Sequence, residues 1–171
     1  VAVGGSPEKH IEAPYFETDL KNLRRKVDAG ADIVITQLFF ENRRYFRFLD
    51  RARSEGIRVP IVPGLLPILS LQQVQRITSV CGATIPRELL ELLESTGEDA
   101  EASLDVGVRH SVAQAKELLR EGAPGIHFFV LNKTRHMVSI MAELAPALSG
   151  AEPLRGRIEF PEKLRRTEAD R

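Results

Sequence analysis

Cysteine is almost missing from this chain: Cys81 is the single one among 171 residues. An internal disulfide framework is thereby excluded, and the usage fits a reducing compartment. No histidine or second cysteine stands at ligand spacing from Cys81, so it reads as a small apolar residue at a helix end. Excess charge of either sign is also missing, since Lys and Arg total 24 and Asp and Glu total 24. No broad field draws the chain to nucleic acid or to an anionic membrane, and any anionic ligand must be held by local groups. No apolar run approaches the roughly 20 residues of a membrane span, and the first residues lack the basic-then-apolar pattern of a signal peptide. These absences together predict a cytoplasmic protein. Short catalytic signatures are absent too: there is no P-loop, no Gly-x-Gly-x-x-Gly and no Gly-x-Ser-x-Gly turn.

What is present is the balance of a globular domain, with 43% hydrophobic and 28% charged residues, enough to bury a core. Its organising stretch is Asp32-Ile-Val-Ile-Thr-Gln-Leu-Phe-Phe40. This nearly unbroken, β-branched apolar run suits a strand covered on both faces. Val1 to Gly5 reads as a strand cut at its beginning. Pro14 opens a helix with Phe16, Leu20, Leu23 and Val27 inward, ending near Gly30. Asn42 can cap a second helix carrying Tyr45, Phe48, Leu49 and Ala52, and Gly56 stops it. Pro60 to Pro67 contains a short strand that its prolines end abruptly. Ser70 caps a third helix, an accessory helix runs from Pro86 to Ser95, and 100–121 is the most regular helix, with Leu104, Val108, Val112, Ala115 and Leu119 on its stripe. Gly125 to Leu131 is a fourth strand, and Thr134 to Leu148 a final helix with Met137, Met141, Leu144 and Leu148 aligned.

The alternation predicts an α/β fold of parallel βα repeats with right-handed crossovers. Four such units are half of a (β/α)₈ barrel, although an open flavodoxin-type sheet alternates in the same way. Residues 1–148 are expected to form the partial barrel. Residues 149–171 are expected to be a polar carboxyl-terminal tail, poorly ordered beyond about Pro153.

Three polar groups fall at loop and strand ends. The first is the Pro7 to Ala13 loop with Asp19, Asn22, Arg25 and Lys26. Positions 19, 22 and 26 line one helical stripe that could hold a phosphate and a sugar hydroxyl, or simply be a solvated face. The second is Thr36-Gln37 with Gln73, whose amides could read a flat ring of alternating donors and acceptors, or cap loops. The third is Gly125 to Lys133, where alternation puts His127, Phe129 and Leu131 on one face. Alone, His127 is a core histidine more often than a ligand. Lys133 is well placed for a ligand carboxylate, though an exposed lysine is usually just solvated.

In their order and separations these groups resemble the second half of methylenetetrahydrofolate reductase, from about Val3 to Leu148. The carriers are Pro7-Glu8-x-His10-x-Glu12-Ala13, Asp19-Leu20-x-Asn22-Leu23-x-Arg25-Lys26-Val27-x-Ala29-Gly30-Ala31, Ile35-Thr36-Gln37-x-Phe39-Phe40, Pro63-Gly64-x-x-Pro67 and His127-Phe128-x-x-Leu131-Asn132. The resemblance implies a (β/α)₈ TIM barrel with FAD at the carboxyl ends of the strands. It implies reduction of 5,10-methylenetetrahydrofolate to 5-methyltetrahydrofolate, with NAD(P)H as electron donor, in one-carbon and methionine metabolism. His10, Ala13, Asp19, Asn22, Arg25 and Lys26 match the family's FAD-binding positions; Gln37, Gln73 and Lys133 match positions that contact the folate substrate. Ser6 and Phe129 stand where the family often has tyrosine, and Lys133 where it has arginine, which loses the planar two-point grip on a carboxylate. The family's general-acid glutamate, and an aspartate near the flavin, belong to the first half of the barrel, so no residue here takes their roles.

The chain alone is therefore expected to bind FAD weakly or not at all and to be inactive until a complementing barrel half or a homo-oligomer completes the site. A non-catalytic half-barrel serving as a binding or assembly module is the alternative. A further one is another flavin- or folate-binding barrel without the reaction.

Overall fold

The computed structural model describes residues 1–130 and 135–149. In chain order the elements are β1 (Ala2–Gly5), α1 (Phe16–Asp28), β2 (Ile33–Leu38), α2 (Asn42–Ser54) and β3 (Ile61–Leu65). There follow α3 (Leu71–Cys81), α4 (Arg87–Ser95), α5 (Ala100–Arg120), β4 (His127–Phe128) and α6 (Arg135–Ser149). The strands form one parallel sheet in the order β1-β2-β3-β4. That order decides between the two architectures open to the alternation. A flavodoxin-type sheet reverses direction at a switch point, whereas a sheet that adds each strand beside the last is the winding of a barrel. The fold is accordingly the parallel βα repeat of part of a (β/α)₈ barrel.

Helices cover one face of the sheet. There Leu20, Leu23, Tyr45, Phe48, Val108, Val112, Ala115, Leu118, Ile140 and Leu144 bury Val34, Ile61 and Leu65. Each large apolar side chain removed from water here stabilises by roughly 1.5–3 kcal/mol. A second cluster, Leu38, Phe40, Leu66, Ile68, Val74, Leu89, Leu93 and Val106, packs α3, α4 and α5 beneath the carboxyl ends of β2 and β3. The opposite face differs: Ala2, Gly4 and Gln37 are exposed, and Ile33, Ile35 and Val62 are half-buried.

Local chemistry sets several boundaries. The Ser70 hydroxyl accepts from Gln73 N at 3.1 Å to start α3, and Gly82, at φ +74°, closes it. One Asp99 carboxylate oxygen accepts from Glu101 N and Ala102 N, both at 3.0 Å, to start α5, which suits both the free amides and the helix dipole. At Gly107 the helix lies directly against the 66–70 turn: a Cβ there would stand 2.1 Å from Ile68 O.

Four local expectations need correction. Asn42 is not the cap of α2 but its first helical residue. Its buried amide instead donates to Gln114 O at 3.0 Å and Glu117 Oε2 at 2.7 Å, fastening α2 to α5. The inward stripe of α5 ends at Leu118, with Leu119 only half-buried, because the helix packs on α6 as well as on the sheet. In α6 the described buried residues are His136, Ile140 and Leu144, and Met137 packs on the core, so of the expected stripe Leu144 and Met137 face inward while Met141, 43% exposed, gives way to Ile140. The fourth strand is ladder-paired only at His127 and Phe128. The 150–171 tail, Leu131, Asn132 and Lys133 lie outside the described residues.

Candidate functional site

At the carboxyl end of β2 the register slips. Ile35 pairs with Val62 and the next pair is Leu38 with Gly64, so Thr36 and Gln37 together face Pro63. Proline has no N–H to offer a ladder, and a bulge opposite it absorbs the mismatch. The Thr36 hydroxyl then accepts from Gly64 N at 2.9 Å, restoring the bond that the ladder loses. The same Gly64 admits the Phe129 ring, since a Cβ there would stand 2.2 Å from Thr36 O and 2.6 Å from Phe129 Cε2. Gln37 is left exposed at the lip, where its Oε1 accepts from Leu38 N at 3.0 Å and its NH₂ is free of described partners.

The loop after β1 is held at several points. Glu8, whose side chain is 12% exposed, accepts from Thr84 N at 3.2 Å and pairs with Arg44 at 3.7 Å. Lys9 sits at φ +102°, a conformation costly for a residue with a side chain, and its ammonium donates to Ala13 O. Asp19 on α1 accepts from His10 N at 2.8 Å, and His10 Nδ1 accepts from Glu12 N at 3.3 Å. That last bond occupies Nδ1 and leaves Nε2 without a partner among the described residues. Lys26 Nζ reaches over the end of β1 to Gly4 O at 3.2 Å and meets no carboxylate among the described residues.

His10, Asp19, Lys26 and Gln37 thus line one cavity of about 470 Å³ above the uncovered sheet face, with Gly4, Ile35, His127 and Phe129. Among the described residues, the expected positions Ala13, Asn22, Arg25 and Gln73 are not among its walls. Asn22 is exposed on α1 and accepts from Arg25 at 3.3 Å. Ala13 closes a turn onto His10 O at 3.0 Å. Gln73 Oε1 accepts from Leu69 N at 2.7 Å, the loop-capping role that its position also allowed. Small residues, not polar ones, open the floor of the cavity: nothing lies within 4 Å of where a Gly4 Cβ would stand. They carry no motif, and only the alternation of β1 hints at them.

A family model for methylenetetrahydrofolate reductase matches residues 1–145. The chain belongs to the methylenetetrahydrofolate reductase family. It is 39% identical over 140 residues to the 5,10-methylenetetrahydrofolate reductase of Escherichia coli (strain K12), a match covering 82% of this chain and 47% of that protein. It is 35% identical over 166 residues to a probable methylenetetrahydrofolate reductase (NADPH) of Caenorhabditis elegans, covering 96% of this chain and 24% of the relative. To methylenetetrahydrofolate reductase (NADH) 1 of Arabidopsis thaliana it is 34% identical over 153 residues, covering 84% and 26%. The chain therefore spans about half the length of the bacterial reductase it matches. Among solved structures, an uncharacterized protein from Clostridium thermocellum that binds two copies of 5-methyl-5,6,7,8-tetrahydrofolic acid superposes with a TM-score of 0.56. It is 19% identical, over 86% of this chain and 53% of that one, a likeness of fold.

The donor set of the cavity suits a reductase flavin. A diphosphate needs cations, and Lys26, bonded to Gly4 O but meeting no carboxylate among the described residues, can supply one. Hydroxyl groups need an acceptor, and Asp19 keeps one carboxylate oxygen after holding His10. A flat ring needs apolar floor with an amide at its edge, as Gly4, Ile35 and Gln37 provide. Among the described residues no His/Cys/Asp/Glu group could hold a metal ion, and no helix is long and apolar enough to cross a membrane.

Proposed function

We propose that this chain supplies the FAD-binding part of a methylenetetrahydrofolate reductase barrel that reduces 5,10-methylenetetrahydrofolate to 5-methyltetrahydrofolate with electrons from NAD(P)H. One observation carries the reading. His10, Asp19, Lys26 and Gln37, drawn from a loop, a helix and the following strand, converge on a single cavity at the carboxyl ends of the strands. Bound FAD would supply the hydride chemistry; the protein's part is to bind, orient and tune it. Lys26, with Arg25 beside it, neutralises the diphosphate. Asp19 and Asn22 take ribityl and ribose hydroxyls, His10 donates from Nε2, and Ala13 shapes the loop against the cofactor. Gln37 offers its free NH₂ to the folate ring, while Gln73 and Lys133 serve the outer part of the substrate. The glutamate expected to protonate the folate is not assigned to any residue of this chain. Turnover draws on the rest of the barrel as well, whether it lies on the same polypeptide, on a complementing barrel half or in a homo-oligomer, in the cytoplasm.

The test is a titration of the folded chain with FAD, followed by flavin fluorescence, alone and mixed with the complementary half of a reductase barrel. Saturable binding that Asp19→Ala and Lys26→Ala both weaken at least tenfold, with NAD(P)H oxidation restored by mixing, is the expected result. Stable assembly without flavin colour or turnover would instead identify a non-catalytic half-barrel module.

A further inference from the structure

The uncovered sheet face holds one polar side chain for which the cofactor and substrate assignments have no use. His127 stands on β4, at the far side of the cavity from Lys26 and Asp19 on α1. It is half-buried and makes no hydrogen bond to any described residue. Its ring is nevertheless held in place. Phe129 N–H donates to Leu65 O at 2.9 Å, the Phe129 ring rests over Gly64, and its edge meets the imidazole at a centroid distance of 4.6 Å and 78°. A T-shaped contact of this kind fixes a ring plane while leaving nitrogens unused. An imidazole packed edge-on against Phe129, at the wall of a cavity and with no hydrogen bond to a described residue, has its ring nitrogens available to a ligand in that cavity.

We propose that His127 is a ligand-contacting residue of this cavity, hydrogen-bonding the lactam edge of a planar heteroaromatic ring lying on the floor at Gly4 and Ile35. The inference rests on the cavity being the reductase site and adds to it a residue on the opposite wall. Isoalloxazine and pterin share this edge, a ring N–H beside a carbonyl, and imidazole can donate to the one or accept from the other. The open space over Gly4 admits a flat ring without displacing backbone. Gln37, on the strand between, reaches the same ring from its side.

Two kinds of probe separate this inference from the cofactor reading beneath it. Riboflavin and 5-methyltetrahydrofolate each carry the ring without a diphosphate, and ADP carries the diphosphate without the ring. Calorimetric or fluorescence titration of the full chain with each is run on the parent, His127→Ala, His127→Asn and Lys26→Ala, with unchanged circular dichroism required of every variant. Loss of one hydrogen bond to the ring predicts riboflavin or 5-methyltetrahydrofolate binding weakened about five- to tenfold by His127→Ala. His127→Asn should recover part of that loss, and ADP binding should stay unchanged in both. Whichever ring compound responds identifies the ring that His127 serves. Ring binding equal in parent and His127→Ala, or no ring binding to the folded chain, overturns the inference. ADP binding insensitive to Lys26→Ala would instead count against the cofactor assignment.

Discussion

Replacing Gly107 by alanine adds one methyl group at the tightest contact between α5 and the turn that carries the chain from β3 into α3. The added Cβ would stand 2.1 Å from Ile68 O, 2.8 Å from Ile68 C and 2.9 Å from Ile68 Cβ, where ordinary contact begins at 3.4 Å. Two of those three atoms are backbone, so no rotamer change relieves the clash and α5 must lift from the turn. Overpacking of a closed site costs about 1–3 kcal/mol, and a rigid carbonyl puts this position at the upper end. Alanine returns about 1 kcal/mol through its better helix propensity. The net expectation is about 2 kcal/mol of destabilisation, lowering Tm by about 4–8 °C for a domain of this size. Thermal and urea unfolding followed by far-ultraviolet circular dichroism measures it. Gly4→Ala is the internal control, because its Cβ meets nothing within 4 Å and should leave Tm unchanged. A Gly107→Ala protein melting at or above the parent would refute the packing account of α5.

Three other perturbations have defined outcomes. Tyr45 donates its buried hydroxyl to Ile61 O at 2.8 Å, so Tyr45→Phe should cost about 1–3 kcal/mol in urea unfolding by leaving that carbonyl without its donor. Burial, partly opposed by Arg53, also pushes the Tyr45 phenol up to about 12. The folded protein thus keeps a proton that the unfolded chain releases near pH 10, and stability should fall above that pH in the parent but less in Tyr45→Phe. His110 is held below the usual imidazole range by burial, opposed by a hydrogen bond to the Phe40 backbone; the unfolded chain takes up its proton first as pH falls below about 6.5. Stability should therefore decline with acidification through that range, and the part of the decline due to His110 should vanish in His110→Phe. Glu8→Ala removes the anchor to Thr84 N and Arg44 and should make the 6–15 loop cleavable by a limiting protease while weakening FAD; resistance equal to the parent would show the loop is held without it.

Periodicity made the βα alternation legible, because helix and strand repeats of apolar residues are local and survive without tertiary information. Strand order was not legible in the alternation itself: β1-β2-β3-β4 and a switched sheet share one pattern, and only pairing distinguishes them. Most of the inward stripes of α5 and α6 were legible, Val108, Val112, Ala115 and Leu144 being buried and Leu104 and Met137 packed on the core; the exceptions are Leu118 in place of Leu119 and Ile140 in place of Met141, where α5 and α6 pack on each other as well. At the cavity, the charged and amide residues were visible as motifs. Asn22, Arg25, Ala13 and Gln73 share those motifs and are not among the walls of this one cavity, a distinction that motif spacing does not carry. The Thr36–Gln37 bulge was announced by an interruption in an apolar run. Its cause, a proline without an N–H on the neighbouring strand, could be seen only once Pro63 was placed opposite.

Because every strand pairs with its neighbour in the chain, assembly of this sheet can proceed in the direction of synthesis. β1, β2 and β3 join through crossovers of modest length, so each pays a small loop-closure cost. The exception is the step from Leu65 to His127, across α3, α4 and α5. Until α5 docks, the Asn42 amide has neither Gln114 nor Glu117, and Tyr45 and Phe48 lack the side chains that later cover them. A chain halted within that interval would expose a sticky, half-built layer. Arrival of α5 is thus the commitment step, and substitutions on its buried face should slow folding and raise aggregation more than equally destabilising ones in α1.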